Sequence, residues 1–189
     1  MDKGRKKEKL DVRSTGVYAA VCAIMEKMEE IGIIGKNNMS SDDLDTIGKK
    51  HHTVHWKEKT DITKARVLVS GGRGIGSADF YDELQKLAEL LGGEVSSSRA
   101  NVVAGWIDSA RQVGNTGNRV TPELYLACGI SGTDQHKAGM DGAKCIIAIN
   151  SSPTAPMFNI ADLSVIGNVK IIVPELIDAL KRYKVRECH

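Results

Sequence analysis

With 189 residues, 41% of them hydrophobic and 26% charged, the chain has the size and balance of one globular domain with an appendage, or of two very small domains. A net charge of +2 gives no electrostatic case for nucleic-acid binding, and no apolar stretch approaches the length of a membrane span. Aromatic residues make up only 4%, so the core must rest on Val, Ile, Leu and Ala, as parallel α/β sheets do.

The basic start "MDKGRKKEKLDVRS" has no apolar stretch behind it, and its acids do not suit a mitochondrial transit peptide. A bacterial-type cytoplasmic location is therefore expected. Cys22, Cys128, Cys145 and Cys188 form no C-x-x-C pair and read as small hydrophobes in a reducing compartment.

Residues 1–13 are a charge run, expected to be a solvated, frayed end. From Thr15 the pattern changes. Val17, Val21, Ile24, Met28 and Ile31 recur at spacings of four and three, which predicts a helix with one apolar stripe. Ser14 or Thr15 can cap it, and Gly32 and Gly35 can stop it. Residues 36–64 are polar and read as a linker, so the helix is expected to dock on a partner chain rather than join the domain that follows. Within the linker, His51 and His55 in "HHTVHW" stand four apart, a metal spacing only if helical; with no acid or cysteine at ligand spacing they read as exposed.

Beyond residue 64 strands alternate with helices. "ARVLVS", "EVSSSRA", "ELYLACGIS", "AKCIIAIN", "ADLSVIG" and "VKIIV" read as strands. "ADFYDELQKLAELLGG" reads as an amphipathic helix closed by glycines, and "PELIDALKRYK" as a closing helix with Pro174 in its first turn. Such alternation, with strands apolar on both faces, predicts an α/β fold: a parallel sheet with helices on both faces. The predicted division is residues 1–63, a helix and linker, and 64–189, the α/β domain.

In sheets of this kind ligands bind beyond the carboxyl ends of the strands. Those ends carry "SGGRGIGS", "SSSRA", "GISGTDQH" and Asn150, and no carboxylate pair. Most of the 19 glycines lie between 71 and 142. Glycine-rich turns direct backbone N–H groups at anions, so these ends suit phosphates and hydroxyls. Gly72 and Gly74 follow a strand and precede a helix, but Ser77 stands where a third glycine would complete the usual dinucleotide fingerprint. The second strand ends in Ser98 and Arg99 rather than in a ribose-binding acid. A dinucleotide bound in another manner is implied. Gln112, Thr116 and Arg119 lie in a glycine-hinged polar loop. No serine-nucleophile elbow is present.

The motifs "VSGGRGIGS", "SSSRANVVAGW", "QVGNTG", "VTPELYLACGISGTDQHKAGM", "AIN" and "VPELIDAL" come in one order. Over residues 64–183 this order and spacing resembles the C-terminal FAD-binding domain of the electron transfer flavoprotein alpha subunit. The resemblance implies a Rossmann-like parallel α/β domain with FAD as cofactor. It implies an electron carrier rather than a stand-alone catalyst, working between flavoprotein dehydrogenases or oxidoreductases and an acceptor, with a beta-type subunit completing a heterodimer.

On that resemblance Arg73 would contact the cofactor. Ser98 would bond its phosphate region, and Arg99 would lie against the flavin ring. Gln112, Val113, Gly114, Asn115 and Thr116 would border the isoalloxazine. Ser131, Gly132, Gln135 and His136 would line the ribityl and pyrophosphate, with Thr133 and Asp134 among them and His136 reaching the ring. Asn150 would serve the adenosine side, with Asn168 and Val169 near it.

Two positions depart from the family: Asn115 stands for a common glutamine, and Asn168-Val169 for Asp-Leu. The family's alpha subunit also carries an α/β domain ahead of the FAD-binding one, which residues 1–63 are too short to form. The alternative readings are a truncated FAD- or nucleotide-binding or docking module without redox turnover, and a different α/β enzyme using NAD.

Overall fold

A computed structural model of the chain describes residues 7–35 and 61–187, with side chains described as far as 183. The seven strands are β1 (Glu8–Asp11), β2 (Val67–Gly71), β3 (Glu94–Ser98), β4 (Gln112–Val113), β5 (Leu124–Cys128), β6 (Cys145–Asn150) and β7 (Leu163–Ile166). They form one sheet in the order β1-β7-β6-β5-β2-β3-β4, and every pairing is parallel.

From β2 the chain moves outward through β3 to β4, returns across the sheet to β5, and moves outward again through β6 to β7. That is a doubly wound order, and its reversal falls between β2 and β5. Parallel strands end on the same side, so all their carboxyl ends share one edge.

The period-two alternation of the strands feeds two apolar layers. Leu124, Leu126 and Cys128 of β5 and Cys145, Ile147 and Ile149 of β6 face one cluster. Tyr125, Ala127, Ile146 and Ala148 face the other. The first face carries the long helices α2 (Val17–Glu30), α3 (Tyr81–Leu90) and α6 (Val169–Glu187). The second carries short pieces: the 3₁₀ turns Ile62–Lys64 and Pro156–Asn159, which bury Ile62, Met157 and Phe158, and the segment of Met140 and Ala143.

Several expectations change here. Residues 8–11 are not a frayed end. They are β1, an added edge strand, with Glu8 N–H on the Asp162 carbonyl at 2.9 Å and the register running from Glu8 beside Leu163 to Asp11 beside Ile166. Its charged side chains are those of an edge, and Lys9 Nζ donates to the Pro153 carbonyl at 3.1 Å.

Neither Ser14 nor Thr15 caps a long helix. Asp11 caps the one-turn helix α1 (Val12–Thr15) by accepting from Arg13 N–H at 3.0 Å, and Gly16, at φ 82°, separates it from α2. "VKIIV" is not a strand. Asn168 Oδ1 accepts from Lys170 N–H at 2.9 Å and starts α6 there, leaving Pro174 inside the helix. Val169, Ile172, Val173, Leu176, Ile177 and Leu180 then follow one helical stripe into the core.

The expected docking helix also resolves differently. Ala20, Val21, Ile24 and Met28 are buried in the same cluster as β5, β6 and α6, and α2 packs along α6. The domain's own core covers the stripe. Of the predicted linker, residues 36–60 and their histidines lie outside the described residues, while Ile62 is buried behind a turn capped by Asp61.

Truncating a fully buried side chain leaves a cavity. Ile24→Ala is therefore expected to lower the unfolding free energy by about 2–5 kcal/mol in urea titrations. Its elution on a sizing column should not change. Unaltered stability with an altered oligomeric state would return α2 to the role of a docking element.

Candidate functional site

A cleft of about 360 Å³ opens at the carboxyl ends of β2, β3, β4, β5 and β6, over the reversal point of the sheet. Its floor is set by a close approach of two turns. Gly72 N–H donates to the Cys128 carbonyl at 2.9 Å, and Gly74 N–H to the Gly129 carbonyl at 3.0 Å. A Cβ on Gly74 would stand 2.7 Å from the Gly129 Cα. Gly129 itself takes φ 65°, a conformation that side chains disfavour. Only glycines let these turns pass, and their backbones line the cleft between them.

Around this floor the structure brings together Arg73, Ser98, Arg99, Gln112, Val113, Gly114, Asn115, Thr116, Ser131, Thr133, Gln135, His136 and Asn150. Arg73 leaves the turn after β2. Arg99 opens α4 (Arg99–Val103) directly after β3. Both are exposed, and among the described residues neither guanidinium has a hydrogen-bond or ion-pair partner. Among the described residues no carboxylate lines the cleft.

The loop after β4 folds back on itself. Asn118 N–H bonds the Gln112 carbonyl at 2.8 Å, and Asn118 Nδ2 holds the same oxygen at 3.0 Å. Buried Gln112 donates from Nε2 to the Thr116 hydroxyl at 3.0 Å. Asn115 N–H bonds the Gln135 carbonyl at 2.7 Å, joining this loop to α5 (Asp134–Lys137). Asn115 Oδ1 accepts from Arg119 at 3.4 Å, so the shorter amide engages a neighbouring cation.

His136 projects from α5 and is only 6% exposed. Its Nε2 lies 3.0 Å from the Tyr125 hydroxyl, while Nδ1 is buried with no hydrogen-bond partner. Burial lowers its pKa to about 4, although the Val113 carbonyl beside it favours the charged form.

Four expected positions lie outside the cleft lining. Gly132, at φ 83°, packs its backbone against Met157. Asp134 is exposed and pairs with Lys137 at 2.8 Å. Asn168 caps α6, and Val169 sits in the core. Asn150 lines the cleft, but its amide also braces the fold, donating to the Ile130 carbonyl at 2.9 Å and accepting from Ser152 N–H at 3.0 Å.

The lining also includes Gly72, Gly74, Ala100, Gly129 and Ile130, which side-chain chemistry alone does not single out. The clustered glycines were their signal. Tyr125 had none, since a tyrosine within "LYLAC" reads as core.

These features define the class: a doubly wound nucleotide-cofactor domain whose cleft is cationic, free of acids and rich in backbone approaches. The donor set fits FAD. Unpaired guanidiniums and glycine turns suit a pyrophosphate, and a buried, unpartnered imidazole nitrogen suits the polar edge of a heteroaromatic ring.

Comparison with known proteins agrees. The model of the electron transfer flavoprotein FAD-binding domain matches residues 61–141. Protein FixB of Clostridium saccharobutylicum is 44% identical over 156 residues, 82% of this chain and 45% of that protein. The electron transfer flavoprotein alpha subunit of Clostridium acetobutylicum is 50% identical over 125 residues, 66% of this chain and 37% of that one. The mitochondrial alpha subunit of Arabidopsis thaliana is 38% identical over 177 residues, 93% and 49%. Over residues 61–141 the chain is thus similar to the electron transfer flavoprotein FAD-binding domain. The chain spans less than half the length of these relatives. Among the described residues no helix is long and apolar enough to cross a membrane.

The depressed His136 pKa has a testable consequence. A histidine held neutral by burial adds stability above its unfolded pKa, and that contribution is lost as pH falls toward the folded value. Urea titrations should show stability falling from about pH 6.5 to pH 4, the His136 share reaching about 3 kcal/mol. The His136→Gln variant should lack that share. Parallel pH profiles for the two proteins would show that the imidazole is not held neutral.

Proposed function

We propose that this chain is an FAD-binding electron carrier. In this reading it relays electrons between flavoprotein dehydrogenases and an acceptor, together with a beta-type subunit, in the cytoplasm. The observation that carries the proposal is the acid-free cleft, in which two unpartnered guanidiniums and a neutral, half-satisfied imidazole converge. Such a site favours negative charge on whatever fills it. FAD bound there supplies the chemistry, its ring accepting and releasing electrons.

The chain's own residues then bind and tune. Arg73 and the turns at Gly72–Gly74 and Gly129–Ser131 hold the pyrophosphate, with Ser98, Thr133 and Gln135 at its side. Gln112 through Thr116 border the ring. Arg99 and His136 stabilise charge gained on reduction, while Asn150 serves the adenosine end; Asn168 and Val169, expected there, are taken up by the cap and core of α6. Residues 64–189 would be the cofactor-binding unit, since they contain the whole doubly wound strand order, with β1, α1 and α2 added at its β7 edge.

Two measurements test the proposal. The chain co-expressed with a beta-type subunit should purify yellow, with about one FAD per complex; a colourless complex that leaves the fluorescence of added FAD unquenched would falsify the cofactor assignment. Within the loaded complex, Arg99→Ala should lower the two-electron flavin potential by on the order of 30–60 mV. Arg99→Lys should recover part of it, keeping the charge but not the planar contact. Equal potentials for wild type and Arg99→Ala would make Arg99 a structural residue only.

A further inference from the structure

The helix that carries Arg99, α4, has five residues, and no side chain caps its start. A helix this short has no stability of its own, so its anchors set where it lies. Its one buried side chain is polar. Asn101 is 0% exposed, while Arg99 and Val103 are exposed and Ala100 and Val102 are half-buried. An apolar residue there would hold the helix by contact in many orientations. A buried amide holds it in the one that satisfies its hydrogen bonds.

Asn101 Nδ2 donates to Tyr81 Oη at 2.9 Å and to the Gly71 carbonyl at 3.3 Å. That carbonyl can only accept, so it fixes which end of the amide faces it. Tyr81 Oη lies 2.6 Å from Ser97 Oγ, and Ser97 Oγ donates to the Ser98 carbonyl at 3.1 Å. Both hydroxyls also stand 3.3 Å from the Gly71 carbonyl. The shorter contacts run in one direction, from Asn101 to Tyr81, to Ser97, to the Ser98 carbonyl. The network thus grips the peptide just before Arg99 and the side chain two residues after it. Gly71, which shares it, is the residue from which the turn of Arg73 departs.

We infer that Asn101, with Tyr81 and Ser97 beneath it, is a positioning residue that fixes Arg99 in the wall of the cleft. Asn101 lies behind the cleft lining rather than in it, and it acts through the guanidinium. The Arg99 guanidinium has no protein partner among the described residues, so the setting of α4 decides how near its charge comes to whatever fills the cleft. That the occupant is a flavin rests on the FAD reading; the anchoring is a property of the chain alone.

The first measurement uses the full chain without cofactor. Asn101→Ala keeps the main-chain bond from Trp106 N–H to the carbonyl of residue 101 and removes only the amide. Amide hydrogen exchange over residues 99–105 should quicken about tenfold, while exchange in β5 and β6 stays as in wild type.

The second measurement reads the flavin potential in the complex with a beta-type subunit. Asn101→Ala should lower it in the same direction as Arg99→Ala, by about half as much. In the Arg99→Ala background the same substitution should change nothing, because a residue that acts only through Arg99 has nothing left to place. Tyr81→Phe removes the hydroxyl and keeps the ring. It should behave like Asn101→Ala, and it serves if that variant does not fold.

Unchanged exchange over residues 99–105 overturns the inference. So does an unchanged potential in the folded variants, or a shift that persists in the Arg99→Ala background, since the network would then act independently of the guanidinium. A wild-type complex that binds no FAD sinks the cofactor reading, and the exchange result then decides the anchoring by itself.

Discussion

Two turns that leave neighbouring strands must cross at backbone contact, and the site is built on that crossing. The turn after β2 and the turn after β5 meet where the winding of the sheet reverses, with Gly74 bonded to Gly129 and Gly72 to Cys128. Any side chain at Gly74 or Gly129 would collide with the opposite backbone. The crossing fixes how far the two halves of the sheet stand apart. It therefore fixes the distance between the groups each half contributes, Arg73 and Arg99 from one and Ser131 through His136 from the other. Ligand position follows from chain topology before any side chain is chosen.

Beneath the crossing, buried polar groups are shared between the two faces of the sheet. On the helix side Tyr81 Oη lies 2.6 Å from Ser97 Oγ, Asn101 Nδ2 donates to it at 2.9 Å, and all three approach the Gly71 carbonyl. On the other side Tyr125 joins Ser70 to His136. The consecutive serines Ser96 and Ser97 of β3 point to opposite faces, Ser97 to Tyr81 and Ser96 to Tyr125. Buried hydroxyls without partners would be costly, so these networks hold β2, β3 and β5 in register under the cleft. The rigidity that a tuned cofactor site needs comes from this layer.

Much of this was legible in the residues. The two-faced apolar strands announced a parallel sheet, and the glycine, serine and arginine endings announced the edge that binds. What misled was local and physical. "VKIIV" has strand composition, yet Asn168 caps a helix there and the core takes its stripe at helical spacing. "EKLD" has no apolar alternation, yet an edge strand needs little, because β7 supplies the hydrogen bonds. The stripe on α2 looked unpartnered because its cover, α6, lies about 150 residues further along the chain. Asn168 and Val169 illustrate a different limit. Their order in the sequence fits a family motif, while their side chains in this chain cap a helix and fill the core.

The sheet ends differently at its two margins, and the difference explains where the cleft lies. At the β1 margin a four-residue strand presents charged side chains, and helices α1 and α2 return over the face beside it. At the β4 margin the strand lasts two residues. A longer β4 would expose a row of unpaired backbone groups and extend past the carboxyl ends of its neighbours. Instead the chain turns at Gly114, and Asn118 satisfies the Gln112 carbonyl twice, by main chain and by side chain. The backbone groups that pairing would have used are thereby turned inward. The same turn lifts Asn115 and Thr116 to the rim, tying Asn115 to the Gln135 carbonyl and Thr116 to Gln112. Termination of the sheet and construction of the ring-binding wall are one structural event, which is why the residues of "QVGNTG" serve both.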